Sequence, residues 1–129
     1  CYTVQAFGSE RRVAGTFNAY IATSPEKEDV AREGLLLELQ KFREELVSEE
    51  ELQRAQTYAI GVHAIRQQSG AAVLGELVDA WMFGSLKELE EYERRVRAVT
   101  APAILETARR YLDPQRRVEG IVRGVGKTV

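Results

Sequence analysis

"YTVQAFGSERRVAGTFNAYIATSPEKEDV", residues 2–30, changes its period near Ser24, and that change sets the fold class. In residues 2–9, Tyr2, Val4 and Ala6 fall on one face and Thr3, Gln5 and Phe7 on the other. In residues 15–23, Phe17, Ala19 and Ile21 oppose Thr16, Asn18, Tyr20 and Ala22. A period of two belongs to a strand, because successive side chains leave the pleated backbone on opposite sides. The polar "GSERRVAG" between them, bounded by Gly8 and Gly15, reads as the loop of an antiparallel hairpin. From Ser24 the punctuation is helical. Ser24 is the expected N-cap, Pro25 the first helical residue, and Glu26, Glu28 and Asp29 fill a first turn whose free amides favour anions. A lone hairpin is marginally stable, so a strand pattern that opens at Tyr2 reads as one part of a wider sheet, and residues 1–129 as a single-domain fragment.

Outward from that stretch the chain reads as helices. The first is expected to reach about Glu45 on a stripe of Ala31, Leu35, Leu39, Phe42 and Leu46. "SEEE" at 48–51 and "SLKE" at 85–88 are capping boxes that start two more. The second helix, 49–66, repeats Leu52, Ala55, Ala59 and Val62. The third, 70–83, repeats Leu74, Leu77, Val78 and Trp81 until Gly84. In the fourth, Leu86, Leu89, Tyr92, Val96 and Val99 form the stripe, while Glu90 with Arg94, Glu91 with Arg95 and Glu93 with Arg97 are spaced as i,i+4 pairs on a solvated face. A fifth opens at Thr100 with Pro102 near its start and carries Ile104, Ala108, Tyr111 and Leu112 to Asp113-Pro114. "RRVEGIVRG", 116–124, reads as a last strand. The expected class is α+β: an antiparallel or mixed sheet with about five helices packed on one face.

Composition excludes several kinds of function. No apolar run approaches the roughly 20 residues that span a bilayer, so membrane insertion is not expected. The 18 Lys and Arg against 20 Asp and Glu leave a net charge of -2, without the basic excess expected of a nucleic-acid binder. The single cysteine, Cys1, forms no internal disulfide and reads as a small buried strand residue. With one His and one Cys the chain lacks the converging ligands of a zinc site, so neither a metal site nor a catalytic residue is expected within it. His63, in "GVHAIRQ", reads as a core-edge or surface histidine, since no carboxylate or nucleophile is set beside it by spacing. "GIVRGVGK" has glycines but follows the last helix instead of opening one, so it is no phosphate loop.

The order of "YTV", then "AGTFNAYIATSPEKEDVAREGLLLELQKFREELVSEEELQRAQ" at 14–56, then "LGELVDAWMFGSLKELEEYERRVRAVTAPAILETARRYLDP" at 74–114, resembles the C-terminal half-domain of the M16 metallopeptidases, the family of pitrilysin, insulinase (insulin-degrading enzyme) and the mitochondrial processing peptidases. The most specific pieces are "VSEEELQRAQ", "WMFGSLKELEEY" and "VRAVTAPAILETARRYLDP". The resemblance implies a non-catalytic domain that binds peptide substrate and closes a chamber. The zinc would sit in a partner catalytic domain, in the same chain or another subunit, that carries the H-x-x-E-H motif missing here. It also aligns Tyr2 with the tyrosine of the family's "R-x-x-x-G-L-A-Y" element, with Cys1 where a small residue is usual and the arginine's position before residue 1. Tyr2 is therefore the implied substrate-contacting residue. Two alternatives stand beside this: a non-catalytic scaffold or interaction module of the same fold, and an unrelated α+β binding domain.

Overall fold

The computed structural model describes residues 1–11, 13–83 and 86–124, apart from the side chains of Glu10 and Glu88. Strand β1 (Thr3–Glu10) pairs antiparallel with β2 (Gly15–Ala22), the one sheet among the described residues. The register sets Val4 opposite Ile21, Ala6 opposite Ala19 and Gly8 opposite Phe17. The two apolar faces read from the sequence thus coincide, since a one-residue slip would send each set to the opposite side. At the turn end, a Cβ on Gly15 would stand 3.3 Å from the Ser9 carbonyl oxygen, a close approach that glycine accommodates.

The first helix starts later than its punctuation suggests. Pro25–Lys27 forms a 3₁₀ turn, and α1 runs Glu28–Glu44. Ser24 makes no capping bond to a backbone amide through its side chain. Helix α1 packs against β2 and against α6 (Ala101–Tyr111), with Ala31, Leu35 and Leu39 half-buried as expected, and with Phe42 and, past its end, Leu46 exposed. Arg109 Nε donates to the Arg43 carbonyl at 2.9 Å, tying α6 to the end of α1. On α6 itself Ala108 is buried and Ile104, Leu105 and Leu112 half-buried, whereas Tyr111 turns outward. Thr100 caps this helix, accepting from the Ala103 amide at 3.3 Å.

Helix α2 (Glu49–Arg66) is capped as read, with Ser48 Oγ accepting from the Glu51 amide at 3.2 Å. Its inward stripe is rotated from the expected one: Leu52 is buried and Gln56, Ala59, Ile60 and His63 half-buried, while Ala55 and Val62 face out. The reason is polar. Gln56 Nε2 donates to the Val99 carbonyl at 3.0 Å and satisfies the chain end beyond α5. Helix α3 (Gly70–Phe83) departs further. Its expected stripe of Leu74, Leu77, Val78 and Trp81 is exposed, and Val73, Glu76, Ala80 and Phe83 turn inward. The expected fourth helix breaks at Glu91 into α4 (Leu86–Glu90) and α5 (Tyr92–Arg97). Glu93 pairs with Arg97 at 2.9 Å as spaced, whereas Glu91 takes Arg94 at 2.6 Å, one residue short of the expected partner. The "SLKE" box and the Gly84 stop involve Gly84, Ser85 and the Glu88 side chain, outside the described residues.

After α6, Asp113 caps a 3₁₀ turn at Pro114–Arg116, accepting from the Gln115 amide at 2.9 Å. The expected last strand does not form over 117–124. A strand needs a neighbour for its backbone groups, and this segment is held instead through side chains. Arg32 reaches Glu119 at 2.7 Å and Arg123 grips Glu28 with two bonds of 2.6 and 2.8 Å, while Val118 and Val122 stand in solvent. Cys1 is likewise a correction: it precedes β1 and is exposed. The fold is α+β with an antiparallel sheet, and among the described residues its buried apolar residues are Leu52, Ala80 and Ala108.

Candidate functional site

Tyr2 stands where β1 begins. Its amide donates to the Ala22 carbonyl at 2.7 Å, which carries the hairpin pairing one residue beyond the strand, and its side chain is 81% exposed. By alternation it shares a face with Val4 and Ala6, so an anchored backbone presents a free phenol at the end of an apolar strip. A phenol held this way can donate one hydrogen bond to a carbonyl oxygen and lay its ring on an extended chain.

His63 is where the structure assembles what spacing did not show. Its Nδ1 lies 3.7 Å from Glu76 Oε1 on α3, and its ring stacks on Tyr92 of α5 with centroids 3.9 Å apart and planes inclined by 22°. Gln67 Nε2 donates to Glu76 Oε2 and lies 3.4 Å from His63 Nε2. Arg66 Nε reaches the same carboxylate at 4.0 Å. The carboxylate partner missing from local spacing thus comes from the next helix. Both imidazole nitrogens face partners within the junction, and the group joins α2, α3 and α5.

The concave surfaces are shallow. One is formed by Glu50, Gln53, Arg54, Thr57 and Tyr58 along α2; another lies where α5 gives way to α6, lined by Val99, Ala103 and Ile104. Neither includes Tyr2. Among the described residues no three His, Cys, Asp or Glu side chains converge as a metal site would require, and no helix is long and apolar enough to cross a membrane.

Two ion-pair groups link α1 to the segment after α6. The Arg123 guanidinium holds the Glu28 carboxyl below its ordinary range, and Arg117, then Arg32, do the same for Glu119. These groups are solvated and hold the 117–123 segment against α1. No protein-family profile matches the chain, and no curated protein is significantly similar to it.

Proposed function

We propose that this chain is the substrate-binding and chamber-closing domain of a zinc-dependent metallopeptidase of the M16 type. The observation that carries the reading is the order and spacing of "VSEEELQRAQ", "WMFGSLKELEEY" and "VRAVTAPAILETARRYLDP", which together with the hairpin motif span nearly the whole sequence. The α+β architecture is compatible with it, and so is the exposure of Tyr2. The described residues bring no three zinc-binding side chains together, and in this reading the metal belongs to the partner catalytic domain. What this chain supplies is a wall against which an extended peptide is held.

In this reading the Tyr2 hydroxyl donates a hydrogen bond to a substrate carbonyl as negative charge grows on its oxygen during hydrolysis. A donor on the opposing wall reaches that oxygen only when the two walls meet, which couples closure to chemistry. Replacing Tyr2→Phe in the intact enzyme is expected to lower kcat by about 10²-fold with zinc content unchanged. An unchanged kcat returns Tyr2 to the ordinary surface. The wider reading is tested on the accompanying polypeptide: H-x-x-E-H with peptide hydrolysis by the assembled protein supports it, and the absence of both assigns the chain to the scaffold class.

A further inference from the structure

We draw no further inference here: the strongest candidate, the outward apolar stripe of α3 formed by Leu74, Leu77, Val78 and Trp81, is exposed among the described residues, and nothing in the structure shows what covers it.

Discussion

Helices α6 and α3 carry similar apolar repeats and meet opposite fates. On α6 the residues between its inward positions are mostly polar or charged, Glu106, Thr107, Arg109 and Arg110, so one stripe is available for burial and it packs against α1. α3 is apolar nearly all round, with Glu76 and Asp79 its only charges. Hydrophobicity then has no preferred side, and the polar side chain settles the rotation: Glu76 turns inward to His63, Gln67 and Arg66 and brings Val73, Ala80 and Phe83 with it. A helix with one apolar face is oriented by burial. A helix with several is oriented by the hydrogen bonds of its few polar groups.

The sharpest way to break the contrast is to place a charge on each helix. Ala108→Glu buries an unpaired carboxylate in the α1–α6 contact and is expected to cost about 3 kcal/mol or more, while Trp81→Glu on the outward face of α3 costs within about 0.5 kcal/mol. Urea denaturation of both variants measures the difference; equal losses would mean that the α3 stripe is covered. Next in size, Glu76→Gln tests the polar anchor. Losing a carboxylate that accepts from Gln67 and faces His63 is expected to cost about 1.5–3 kcal/mol and to shift the Tyr92 ring resonances as the stacked imidazole moves. A stable variant with unchanged Tyr92 signals would return the rotation of α3 to packing alone.

Smaller effects separate a cap that forms from one that does not. Ser48→Ala removes the bond to the Glu51 amide and is expected to lower stability by about 1 kcal/mol, whereas Ser24→Ala, where no backbone amide is capped, changes it little. Thermal melts of the two variants check this. The smallest effect concerns the segment at 117–123. The folded Glu28 and Glu119 carboxyls titrate below their ordinary range, so the unfolded chain binds more protons as acid is added. Their contribution is complete above the ordinary glutamate range and is lost as pH falls through the lowered values. Proton NMR of the Val118, Ile121 and Val122 methyls is expected to show the 117–123 segment released there, and in high salt at neutral pH, before the helices respond.

Much of the fold was legible because its causes are local. The hairpin register follows from two strips of period two that must share a face, and the caps at Ser48 and Thr100 follow from a hydroxyl three residues before an unpaired amide. Tyr2 was nameable only through family resemblance; its exposure and anchored amide needed the structure. Ser24 misled because Pro25–Lys27 closes a tighter turn before the α-helix starts, and the 117–124 segment because a strand's existence depends on a partner outside its own sequence. The His63 junction was illegible for a similar reason, since Glu76 and Tyr92 are 13 and 29 residues away and arrive on separate helices. By itself the sequence determined where elements start, what period each follows and which faces are apolar, because those depend on neighbours within about one turn. Only the tertiary structure decided which apolar face is covered and which polar groups meet, because several faces compete for the same contacts and a half-buried, hydrogen-bonded carboxylate outweighs another methylene.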